Sequence, residues 1–71
     1  MTADFVKIKE FWINDLKIDI FRNPNGEYYT SSKYKDSDEE ANVEYYKDFD
    51  SIYYVFSDDV SEEELKAEIE I

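Results

Sequence analysis

Leu16, Ile18 and Ile20 alternate with Lys17 and Asp19, the period-two pattern of a strand with one buried face. The run ends at Asn23-Pro24-Asn25-Gly26. Pro24 presets φ for the first central position of a type I turn, and Asn25 suits the second. Gly26 supplies the positive φ of a G1 bulge. Glu27–Tyr34 then returns, so a hairpin spans about residues 16–34. Counting across the turn sets Ile20 near Tyr29 and Phe21 near Tyr28, both favourable cross-strand pairs. Upstream, Phe5–Ile13 reads as a strand, with Asn14-Asp15 as a two-residue turn into Leu16. A short helix with Phe5, Ile8 and Trp12 inward is the alternative there.

The pattern changes at Ser37. Ser37-Asp38-Glu39-Glu40 is a capping-box sequence, and Ala41, Tyr45, Phe49 and Ile52 follow at near-helical spacing. This predicts a helix over residues 38–48, with a strand at Val43–Lys47 as the alternative. Ser51–Phe56 is aromatic and β-branched after Ser51 and predicts a central strand. Ser57-Asp58-Asp59 is a turn. Ser61-Glu62-Glu63-Glu64 repeats the capping box, so a last helix starts near Glu62; alternation toward Ile71 also allows an edge strand. The expected fold is α+β in a single domain over 1–71. A small antiparallel sheet is built on the central hairpin, with one or two short acidic helices on one face. Ile8, Trp12, Ile18, Ile20, Tyr29, Phe49, Ile52, Val55, Phe56, Leu65 and Ile69 are its expected core.

Size limits what this fold can do. A chain of 71 residues buries roughly 62% of its unfolded surface, enough for one thin core and little room for an enclosed substrate pocket. Such a core gains from dimerisation or a partner. The chain has no Cys and no His. That excludes disulfides, thiol nucleophiles, the usual zinc sites and His-based acid–base chemistry. At 18% aromatic and 42% hydrophobic it is far from the composition of a disordered chain. No run approaches the roughly 20 apolar residues of a membrane span, and Met1–Phe5 lacks the features of a signal peptide. The expectation is a soluble, cytoplasmic protein that is not an enzyme and needs no cofactor.

Charge sharpens the picture. Residues 1–35 carry five acids and six bases, whereas residues 36–71 carry 14 acids and two bases, Lys47 and Lys66. The second half is therefore −12 and holds the entire negative charge of a chain whose net is −11. Such a surface repels nucleic acid and anionic lipid, so direct nucleic-acid and membrane contacts are not expected. Among 19 acids some carboxylate pair always lies close, which carries no catalytic meaning without a cleft. Asp36-x-Asp38-x-Glu40 resembles the start of an EF-hand loop, but Ala41 stands where Gly is required and Lys47 where the bidentate Glu belongs. The only Gly lies in the turn, so no phosphate-cradling loop exists.

Carboxylates at this density can copy a phosphate array. A compact chain of this length is roughly 29 Å across, a span over which duplex DNA carries about 17 charges. The candidate partner-binding residues are Asp36, Asp38, Glu39, Glu40, Glu44, Asp48, Asp50, Asp58, Asp59, Glu62, Glu63 and Glu64. Tyr45 and Tyr46 join them as aromatic anchors, and Tyr53 and Tyr54 lie among the same acids. In size, acidity and aromatic content the chain resembles the small DNA-mimic inhibitors of phages and mobile elements. These include anti-restriction proteins, anti-CRISPR proteins and uracil-DNA glycosylase inhibitors. The resemblance is compositional and rests on no shared motif. It implies a basic nucleic-acid-binding protein or nucleoprotein effector as partner, whose DNA site the acids would occupy. The alternative is a small acidic adaptor or accessory subunit that docks on a basic surface unrelated to DNA. A homodimer is compatible with either.

Overall fold

A computed structural model describes residues 4–66. Four strands, β1 (Val6–Ile13), β2 (Leu16–Arg22), β3 (Tyr28–Tyr34) and β4 (Asn42–Tyr46), precede two helices, α1 (Phe49–Phe56) and α2 (Glu62–Leu65). The strands form one antiparallel sheet in the order β1-β2-β3-β4. Both helices pack on one face of it, giving the expected α+β architecture with extents of 33 × 31 × 19 Å. No helix of the described residues is long and apolar enough to cross a membrane.

The turns follow from the residues that tolerate a positive φ. Asn14, at φ 54°, closes β1 onto β2. In the second hairpin the Gly26 N–H donates to the Asn23 carbonyl at 3.1 Å, and the Asn23 N–H donates to the Glu27 carbonyl at 3.0 Å. Gly26, at φ +81°, is therefore an extra bulge residue. This shifts the register from the expected one: Ile20 lies opposite Thr30, Phe21 opposite Tyr29 and Arg22 opposite Tyr28. The expected pairs of Ile20 with Tyr29 and Phe21 with Tyr28 were one residue out: the loop, with its expected bulge, closes on Asn23 opposite Glu27, and that pair sets every one beyond it. Asn23 is itself buried, and its side chain holds the turn. Its Oδ1 accepts from the Asn25 and Glu27 N–H groups, and its Nδ2 donates to Glu27.

Ile18, Ile20 and Tyr28 from the sheet meet Ile52, Phe56, Val60 and Leu65 from the helical layer. Ile8, Phe11, Leu16, Tyr46, Phe49 and Tyr53 pack around them. A bulge between Lys7 and Lys9 turns Ile8 toward this core. Three expected core residues lie elsewhere. Trp12 and Val55 are each half exposed, on the open sheet face and the outer side of α1. Tyr29 lies on the open face, stacked on Phe21 at 4.4 Å. Ile69 and the alternative final strand fall outside the described residues.

Two expected elements are corrected. Residues 38–48 are not a helix: Ser37 Oγ accepts from the Glu39 N–H at 3.1 Å, a local turn that satisfies the apparent cap. Asn42–Tyr46 then pairs with β3, which matches the alternative strand reading. Ser51–Phe56 is not a strand but most of α1. Asp48 caps that helix through the Ser51 N–H at 2.9 Å, and Ile52 and Phe56 fall four residues apart on its buried side. The helix near Glu62 forms as expected, with the reciprocal Ser61–Glu64 capping box complete.

Candidate partner-binding surface

The sheet separates two kinds of surface. Alternate β4 residues divide between its faces: Glu44 and Tyr46 lie opposite Thr30 and Tyr28, whose side chains are buried toward the helices. Glu44 therefore projects on the helical side, at the sheet edge. Asp48 and Asp50 flank the start of α1, Asp58 and Asp59 follow its end, and Glu62, Glu63 and Glu64 form the first turn of α2. Eight of the candidate acids thus share the helical layer. Asp36, Asp38, Glu39 and Glu40 do not join them. They lie in the exposed β3–β4 connection, where Glu39 and Glu40 line a shallow groove with Leu16, Ser32 and Tyr34.

Some of these acids have structural partners. Asp48 is held below its ordinary range by the Ser51 hydroxyl and then by the Ser51 N–H. Glu64 is lowered first by Lys9, with which it forms an ion pair, and then by the Ser61 N–H. Glu62 pairs with Lys66 at 2.9 Å, which raises the Lys66 ammonium pKa. Lys66 also covers the Phe49 ring at 4.4 Å. Glu44, Asp50, Asp58, Asp59 and Glu63 are exposed and take no part in an ion pair among the described residues. Their charges are available to a partner.

The aromatic anchors are redistributed. Tyr45 lies on the opposite sheet face, where its hydroxyl donates to Glu27. That contact lowers the Glu27 carboxyl pKa and raises the Tyr45 phenol. Tyr46 is half-buried against Phe56, and desolvation raises its phenol pKa. Neither belongs to the exposed acidic surface. Tyr54 does: it is 87% exposed on α1, beside Val55. Val55 is the exposed apolar residue that the strand reading had placed in the core. The helical spacing of Ile52 and Phe56 is the signal that turns residues 54 and 55 outward.

The concavities are open grooves on the protein edge, and no three carboxylates among the described residues converge as a metal site. In comparisons with known proteins, the chain matches no family model, no curated protein and no solved structure.

Proposed function

We propose that the chain is a DNA-mimic inhibitor. Its acidic helical side occupies the basic nucleic-acid-binding site of a nuclease, glycosylase, or CRISPR or restriction effector, and excludes DNA. The observation that carries this reading is the segregation of unpaired acids: Asp50, Asp58, Asp59 and Glu63 surround the helical layer, and none of them forms an ion pair among the described residues. Over the 33 Å long axis, duplex DNA carries about 19 charges, against −12 for residues 36–71. Such a field steers a basic groove into contact. Tyr54 and Val55, exposed among these acids, supply the apolar anchor that sets specificity.

The test is affinity capture on the tagged protein from a bacterial lysate, with and without excess duplex DNA. The reading expects a basic nucleic-acid-binding protein that duplex DNA displaces. Its capture should weaken when Asp58, Asp59 and Glu63 are changed together to Asn, Asn and Gln. A retained partner indifferent to DNA would instead make the acidic side the docking surface of an adaptor.

A further inference from the structure

Three of the chain's eight bases converge at one end of the sheet. Lys17, Lys33 and Lys35 line a groove of about 210 Å³ together with Trp12 and Tyr34, and no carboxylate lines it. We propose that this groove binds single-stranded nucleic acid, with one base stacked on Trp12 and the neighbouring phosphates on the lysines. The inference is independent of the proposed function, because it uses none of the acids of the helical layer.

Register builds the site. Trp12 lies opposite Lys17, and Lys17 opposite Lys33, so the three form a row across β1, β2 and β3. Ile18, next to Lys17 in its strand, is buried toward the helices, and the row therefore lies on the other face. Lys35 is fixed beside it, because its N–H donates to the Asp15 carbonyl at 2.8 Å. Like charges directly across a sheet are destabilising, so Lys17 and Lys33 cost the fold stability that an anion between them restores. Lys33 and Lys35 form no ion pair among the described residues. Lys33 also borders the groove of Glu39 and Glu40 and pairs with neither. Lys17 reaches Glu10 Oε1 at 3.3 Å, but Lys7 holds the same oxygen at 2.8 Å. Asp15 and Asp36 flank the groove in sequence without lining it.

Side-chain chemistry selects the ligand. Lysine binds phosphate as a point charge, whereas planar carboxylates favour the fork of Arg, and no Arg lines the groove. Trp12 is half exposed, and no other ring or cation covers it among the described residues. A bare indole beside basic side chains is a platform for unpaired bases. A duplex keeps its bases stacked inside and offers it no face. Enclosed ligand pockets start at roughly 300 Å³, so this smaller, open groove takes one nucleotide and leaves the rest of the strand outside. The net charge of −11 repels nucleic acid from the chain at large. The sheet, however, stands between this groove and the acids of the helical layer, and the screening length at 0.15 M is about 8 Å.

Trp12 is the single Trp, so its own emission reports occupancy. A short oligothymidylate titrated into the full chain should quench that emission to saturation. The binding constant should fall with a log–log salt slope of about −2, the value for three neutralised phosphates of a single strand. Lys33→Gln combined with Lys35→Gln should raise the dissociation constant about tenfold and bring the slope to about −0.7. Lys47→Gln, exposed and outside the groove, should leave both unchanged. The double variant removes a like-charge contact and should melt no lower than the unaltered chain, checked by circular dichroism. Absence of quenching at millimolar oligothymidylate overturns the inference. So does a double variant that binds as tightly as the unaltered chain. An equal response to oligoglutamate or inorganic phosphate also overturns it, because the groove would then accept any anion without a base.

Discussion

The Tyr28 hydroxyl donates to the Leu65 carbonyl at 2.7 Å, joining β3 to the end of α2 across 37 residues of sequence. Both residues are buried, and the contact seats the short second helix on the sheet. Tyr28→Phe keeps the ring but leaves that carbonyl unsatisfied. It should cost about 1–3 kcal/mol, measured by urea denaturation. Burial raises the Tyr28 phenol pKa. Its contribution is therefore complete below about pH 10 and is lost as pH rises through the folded-state value. Tyr28→Phe should lack that alkaline component.

The two turns should respond in opposite directions. Gly26 sits at φ +81° with open space around it, so Gly26→Ala isolates the backbone cost of the left-handed region, about 1–2 kcal/mol. Asn14, at φ 54°, bears part of that cost already. Asn14→Gly should be neutral or stabilising by a few tenths of a kcal/mol. Thermal unfolding of the two variants would show whether turn geometry sets the register.

Local chemistry made much of the sheet legible. The alternation of Leu16, Ile18 and Ile20 marked β2, and Pro24 with Gly26 marked the hairpin. The register slipped by one because the loop closes on Asn23 opposite Glu27, and a shift of one at the closing pair moves every pair along the ladder. Ser37 and Glu40 misled because Ser37 closes a local turn on Glu39 instead of capping a helix. The β4 strand exists through pairing with β3, a contact that no window of a few residues contains. Tyr53, Tyr54 and Val55 favour strand by propensity. The Asp48 cap and the burial of Ile52 and Phe56 override that preference. Acidity in the second half was visible at once. Its division between the helical layer and the Asp36–Glu40 connection needed the fold.

Caps and charge repulsion act in opposite directions with pH. Ser61→Ala and Asp48→Ala should each cost about 1 kcal/mol at neutral pH. The folded Asp48 carboxyl is lowered by its Ser51 contacts. Its contribution is present above the unfolded carboxylate value and is lost as pH falls through the folded one. The stability difference between the unaltered chain and Asp48→Ala should therefore shrink as pH falls below about 4, read by denaturant titration in acid.

Unpaired acids should also make stability depend on salt. Glu44, Asp50, Asp58, Asp59 and Glu63 repel one another, and screening lengths fall from about 30 Å at 0.01 M to about 8 Å at 0.15 M. The melting temperature should rise over that interval in a calorimetric series. A falling curve would mean that ion pairs such as Lys9–Glu64 and Lys66–Glu62 dominate instead.

In the proposed function the acidic helical side and DNA compete for one site on a basic partner. Tyr54 contributes to that side without supporting the core, being 87% exposed. Tyr54→Ala should leave stability within about 0.5 kcal/mol yet weaken partner binding by about 2 kcal/mol if it is an anchor. The most direct measurement is fluorescence anisotropy of a labelled duplex bound to the captured partner, as the protein is titrated in. Competition should bring the anisotropy down to the value of free duplex, with the Tyr54→Ala titration displaced to higher concentration. Anisotropy that holds or rises, showing protein and duplex bound together, would contradict it.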